Sequence, residues 1–187
     1  MTKWKNRSIP RPKLIAAAIS AVLFPSVSVF VFWAANLTVN MTSSMPMGIW
    51  SIEDVDRARQ IPRESIVLFC PPDTELFQRA KTDGILQGGS CKGSYSPLMK
   101  QVLGLPGDVI EYTGSFSING HEVANCKTLA VGFGEFRTPQ PLHLVVPKGK
   151  LWLMSSHSPM SFDSRYFGLV DRERVLGLAS DLLVIHD

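Results

Sequence analysis

Metal-ligand spacing is absent from this sequence. Its three cysteines (Cys70, Cys91, Cys126) never fall as Cys-x-x-Cys, and its four histidines (His121, His143, His157, His186) are scattered. The expectation is therefore no metal site and no cofactor. Charge is scarce as well: 19% of the 187 residues are charged, and the net charge is +3. Three surplus charges are too few to argue for nucleic acid as a partner. Internal repeats and low-complexity linkers are missing, and the length excludes a large multidomain enzyme while allowing one domain with an appendage. What is abundant is apolar residues, at 45%, which excludes a disordered chain. A mean hydropathy of +0.10 is high for a soluble domain and places part of the chain in lipid.

The longest gap in charge runs from Leu14 through Ile52. Within it, residues 14–35 form an apolar run that as a helix reaches roughly 33 Å, enough to cross the hydrocarbon core of a bilayer. Pro25 implies a kink, and Trp33 suits an interfacial anchor. Lys3, Lys5, Arg7, Arg11 and Lys13 precede the run with no acid among them. Positive residues stay on the cytoplasmic side, so the reading is a cytoplasmic tail 1–13, a transmembrane helix 14–35 and a translocated domain 36–187. A cleavable signal peptide is the alternative, though its apolar region normally spans only about 7–15 residues. With the tail set aside, 14 basic residues face 16 acidic ones. The apparent basicity is thus a topology signal, and the translocated domain is slightly acidic.

Short β-branched runs punctuated by Gly and Pro make that domain mainly β. Strands are expected at residues 65–69, 98–104, 109–113, 116–118, 142–146, 150–155 and 182–186, with a short helix at 73–81. Asn119-Gly120 predicts a two-residue hairpin turn between 116–118 and 121–123. In an oxidising compartment three cysteines give one disulfide and one spare thiol, and Cys70–Cys91 is favoured over the other pairings.

Three clusters carry hydroxyl and charged residues that can do chemistry: Thr42-Ser43-Ser44-Met45-Pro46-Met47-Gly48, Ser96 to Asp108 around Lys100, and Ser155 to Gly168. Singly, each reads as a polar turn, a solvated strand lysine or a surface ion pair. Together, in this order after a membrane span, they resemble the boxes of the type I signal peptidases, the membrane-bound Ser/Lys proteases of peptidase family S26. The general pattern is Ser-x-Ser-Met-x-Pro, then Lys-Arg-x-x-Gly-Leu-Pro-Gly-Asp, then Gly-Asp-Asn-Arg-Asp-x-Ser-x-Asp-Ser-Arg-Tyr. Here Pro46 stands one residue closer, Gln101 replaces the Arg, and Ser-Ser-His-Ser replaces the Gly-Asp-Asn-Arg run. Those departures resemble the TraF-type branch, the conjugative-transfer signal peptidases that mature a pilin.

The resemblance implies a signal peptidase-like, β-rich catalytic domain on one N-terminal anchor, held in a bacterial inner membrane with its catalytic part in the periplasm. It implies Ser44 as nucleophile, Lys100 as general base and Asp163 as a catalytic support, with Thr42 helping the oxyanion hole, Ser161 orienting the lysine and Arg165 giving structural support. A serine hydroxyl needs a base, and a lysine serves only if burial lowers its pKa. Ser43 competes as nucleophile. His157 suggests a Ser-His-Asp triad, but the resembled box uses no histidine. Met45, Met47, Ile49 and Trp50 flank the nucleophile and suggest a site at the membrane surface. The implied substrate is a membrane-tethered pre-protein such as a pre-pilin, released by hydrolysis or by cyclisation through an acyl-enzyme, with the bilayer and type IV secretion components as partners. The alternatives are a general signal peptidase I and a catalytically inactive assembly factor for a pilus or secretion system.

Overall fold

The computed structural model describes residues 11–56, 60–124, 136 and 142–185. Lys3, Lys5, Arg7, Cys126 and His186 lie outside them, as does the expected cytoplasmic tail up to Pro10. Two compact units divide the chain between Leu37 and Thr38.

The first unit is a single helix, α1 (Arg11–Ala34), which runs through Pro25. Its segment Pro12–Ala34 is long and apolar enough to cross a membrane. Its large side chains are exposed around the whole circumference, Phe24 at 78% and Trp33 at 74% among them. A helix apolar on every side is consistent with a membrane anchor.

After α1 the strands, all but the first residue of β1 within the second unit, are β1 (Leu37–Asn40), β2 (Gly48–Asp54), β3 (Ile66–Phe69), β4 (Gly88–Cys91), β5 (Leu98–Gly104), β6 (Val109–Tyr112), β7 (Phe116–Ile118), β8 (His121–Glu122), β9 (Leu142–Val145), β10 (Lys150–Met154), β11 (Val170–Asp171) and β12 (Val175–Val184). Two short helices join them, α2 (Glu75–Thr82) and α3 (Ser164–Phe167). Seven strands form one sheet in the order β1-β2-β12-β3-β5-β10-β11, and four form a second in the order β8-β7-β6-β9. The mainly β expectation holds, and β5 and β7 occupy the residues predicted for them. Asn119 and Gly120 take φ of 53° and 78°, the left-handed values a type I′ turn demands, and Ile118 pairs with His121 across it.

Several elements differ from expectation. The last strand is ten residues long and begins at Val175, seven residues before the predicted start. β1 and β2 were not anticipated. Met45 and Trp50 do not face outward: they are 5% and 2% exposed and pack with Met99 and Ala179 in one core cluster. The apolar residues beside Ser44 therefore divide, with Met47 left exposed and Trp50 committed to the core. Other clusters lie around Trp152 and Ile110, around Val67 and Leu153, and around Phe77 and Tyr166. The pairing Cys70–Cys91 is formed, with Cα atoms 5.5 Å apart, and ties the end of β3 to β4.

Candidate active site

Residues 41–47 connect β1 to β2, and the side chain of Asn40 shapes that loop from its base. Asn40 is 8% exposed. Its Nδ2 donates to the carbonyls of Thr42, Met45 and Pro46 at 3.0, 2.8 and 3.0 Å. Its Oδ1 accepts from the backbone N–H of Thr42 at 3.1 Å and from the Thr42 hydroxyl at 2.8 Å. A short amide side chain bonding its own downstream backbone is the usual way an Asn fixes a turn. Sequence reasoning passed over Asn40; an Asn at a strand end before a Thr-Ser-Ser turn is the signal that marked it.

Lys100 sits in the middle of β5, opposite Val67 of β3. Only 3% of it is exposed, and its Nζ donates to the Met99 carbonyl at 3.0 Å. Burial disfavours the ammonium and lowers the pKa to about 8; the negative charge of Asp163 opposes this, and the positive charge of Arg165 adds to it. A lysine in this state supplies a neutral amine at mildly basic pH.

Ser44 and Lys100 line one cleft of about 410 Å³, together with Thr42 and Ser43 from the same loop, Ile85 and Leu86 after α2, and Met160 and Phe162 from the third cluster. The three clusters, separated by tens of residues in sequence, thus converge on one cavity. The disulfide-closed segment supplies part of its wall, because Ile85 and Leu86 fall between Cys70 and Cys91.

The third cluster is organised by Asp163, which is fully buried and caps α3 by accepting from the Arg165 backbone N–H at 3.2 Å. Its Oδ2 also takes the backbone N–H of Ser155 at 3.1 Å. The Arg165 guanidinium lies beside it and donates as well to the Ser161 carbonyl at 3.3 Å. Asp163 and Arg165 form the ion pair expected of them, but in the interior and not at the surface. Ser161 is buried, and its hydroxyl has no hydrogen-bond partner among the described residues. Leaving such a group unpaired costs about 1–3 kcal/mol, so it marks a place where polar capacity is kept open. His157 is held by its backbone, which donates to the Ser155 hydroxyl at 3.2 Å.

The sequence model of the family "Signal peptidase, peptidase S26" matches residues 11–183. The conjugal transfer protein TraF of Agrobacterium fabrum is 39% identical over 142 residues, covering 75% of this chain and 78% of that one. A probable conjugal transfer protein TraF of Sinorhizobium fredii is 35% identical over 154 residues, covering 81% and 79%. Signal peptidase I V of Bacillus subtilis is 30% identical over 135 residues, covering 67% and 68%. Among solved structures, a signal peptidase I from Enterococcus faecalis aligns with a TM-score of 0.38 at 22% identity, covering 64% of this chain and 97% of that one.

Proposed function

Because the chain belongs to the signal peptidase family, peptidase S26, we propose that it is a serine endopeptidase whose nucleophile is Ser44 and whose general base is Lys100. The observation that carries this reading is Lys100 itself. A cation buried to 3% exposure in a strand centre is expensive, and its lowered pKa of about 8 matches a base working near neutrality.

Attack begins when neutral Lys100 takes the Ser44 hydroxyl proton as Oγ bonds to the substrate carbonyl. The ammonium then gives that proton to the departing amine, leaving an acyl group on Ser44. Water completes hydrolysis; an amine of the substrate completes cyclisation. The backbone N–H of Ser44 is the oxyanion donor we assign. The Thr42 hydroxyl is engaged with Asn40, so its part is to shape the loop unless substrate draws it away. The open hydroxyl of Ser161 suits the orienting role towards the lysine ammonium. Asp163 acts through charge on Lys100 and through its bond to Ser155.

The substrate class we propose is a membrane-tethered pre-protein, cut on the far side of a bilayer that α1 crosses with its N-terminus in the cytoplasm. Identities of 39% and 35% to the TraF proteins of Agrobacterium fabrum and Sinorhizobium fredii, against 30% to signal peptidase I V, favour a conjugative pre-pilin. The test is processing of that pre-pilin in membranes. Unprocessed precursor is expected to accumulate with Ser44→Ala and with Lys100→Ala, while Ser43→Ala keeps substantial activity. Normal maturation by Ser44→Ala overturns the assignment. The mass of the mature pilin separates the two endings, since a cyclic product is one water lighter than the linear one.

A further inference from the structure

Ser155 follows directly on β10, and its side chain reaches across 111 residues of sequence to donate a hydrogen bond to the backbone carbonyl of Ser44. It is completely buried. The backbone N–H groups of His157 and Ser158 both donate to its hydroxyl oxygen at 3.2 Å. With its lone pairs filled by two donors, a hydroxyl has its own proton left to give, and that proton goes to Ser44. The Ser155 backbone is in turn held by Asp163.

The carbonyl it takes is not among those that Asn40 holds. Asn40 binds the carbonyls of Thr42, Met45 and Pro46, and that of Ser44 is held from the third cluster instead. Counting back from Asp163, the general form of the third box has Gly where this chain has Ser155. A glycine offers no side-chain donor, so this contact belongs to the variant form of the box.

We propose that Ser155 is a positioning residue for Ser44. Its hydroxyl fixes the peptide plane that follows Ser44, and with it the direction of Ser44 Oγ in the cleft shared with Lys100. The proposal rests on Ser44 being the nucleophile. It also gives Asp163 a mechanical route to the site, through Ser155 and into the Ser44 loop, besides its charge.

The experiment compares Ser155→Thr with Ser155→Val in the full-length protein. The two substitutions add the same bulk and differ only in the hydroxyl, so any strain is common to both. The probe is an internally quenched peptide with alanine at the first and third positions before the cut. Val is expected to lower kcat about 10–100-fold relative to Thr, with KM within about twofold and the pH midpoint of the rate unchanged. Equal kcat for the two, or a loss confined to KM, overturns the proposal. Amide hydrogen exchange at Ser44 and Met45 supplies a readout independent of cleavage. Faster exchange in the Val variant than in the Thr variant supports the hold on Ser44, and equal exchange overturns it. An uncut peptide together with faster exchange removes the peptidase reading and leaves the hold standing.

Discussion

Asp163 and Arg165 share a two-pronged ion pair in the protein interior: Arg165 Nε donates to Asp163 Oδ1 at 2.7 Å and Nη2 to Oδ2 at 2.6 Å. Neither side chain touches solvent. Such a pair adds little over an apolar substitute, but breaking one half leaves a buried charge uncompensated. Asp163→Asn is expected to cost about 3–5 kcal/mol of stability in denaturant unfolding. Asp163 also raises the Lys100 pKa, so the substitution should move the pH–rate midpoint downward. An unchanged midpoint in the folded variant means that the carboxylate does not act on Lys100.

The pH dependence of the wild-type rate follows from the same lysine. In the proposed mechanism neutral Lys100 is the active form, so the rate should rise with pH through a midpoint of about 8 and fall about tenfold per unit below it. A pH profile of kcat/KM on the processed substrate checks this. A flat profile between pH 6 and 9, values chosen to bracket that midpoint by about one unit or more, removes Lys100 as the base.

Stability should respond to the same ionisation. The folded pKa of Lys100 is about 8 against 10.5 unperturbed, so between those values the unfolded chain binds more protons than the folded one. Stability therefore gains on raising the pH through that window, and below pH 8 the full burial penalty stands. At 1.36 kcal/mol per unit the penalty is about 3 kcal/mol. Lys100→Met should stabilise the protein near pH 7 and abolish this part of the pH dependence, while eliminating activity. Thermal melting across pH 7 to 11, roughly the span of the two pKa values, reads both effects.

Reduction of Cys70–Cys91 opens a loop closed over a 21-residue separation, worth about 3 kcal/mol in chain entropy. Because Ile85 and Leu86 of that loop form cleft wall, the reduced protein should also bind peptide more weakly, with KM rising before kcat falls. A double Cys70→Ala, Cys91→Ala variant with unchanged stability and KM contradicts this.

What the sequence disclosed best is where local chemistry decides. The bounds of β5 and β7, the Asn119-Gly120 turn and the apolar helix each follow from a short run of residues with one strong preference. β12 was legible only at its end, because its N-terminal half carries Gly177 and little β-branched character. Gly177 is there for packing: a Cβ would meet Ile52 Cγ2 at 2.4 Å and the Glu53 carbonyl at 2.7 Å. Pairing with β2 and β3 overrides the weak local preference. In the site, the boxes pointed to Ser44, Lys100, Ser161 and Asp163, of which Ser44 and Lys100 line the cleft while Ser161 and Asp163 are buried on either side of its Phe162. Asn40 and Ser155 escaped: Asn40 lies outside the resembled pattern, Ser155 stands where that pattern has Gly, and the bond of Ser155 spans most of the chain. Replacement of Gly by Ser at position 155 was visible, but nothing local says which carbonyl that hydroxyl meets.

The strand order bears on when the proposed site is assembled. β12 lies between β2, which follows the Ser44 loop, and β3, which pairs with the Lys100 strand. It is also the last of the described strands to be synthesised. Until Val175–Val184 has been made, the segment bearing Ser44 and the segment bearing Lys100 belong to two unjoined parts of a sheet. In the proposed mechanism the nucleophile and its base are therefore joined through one sheet only once Val175–Val184 pairs on both sides.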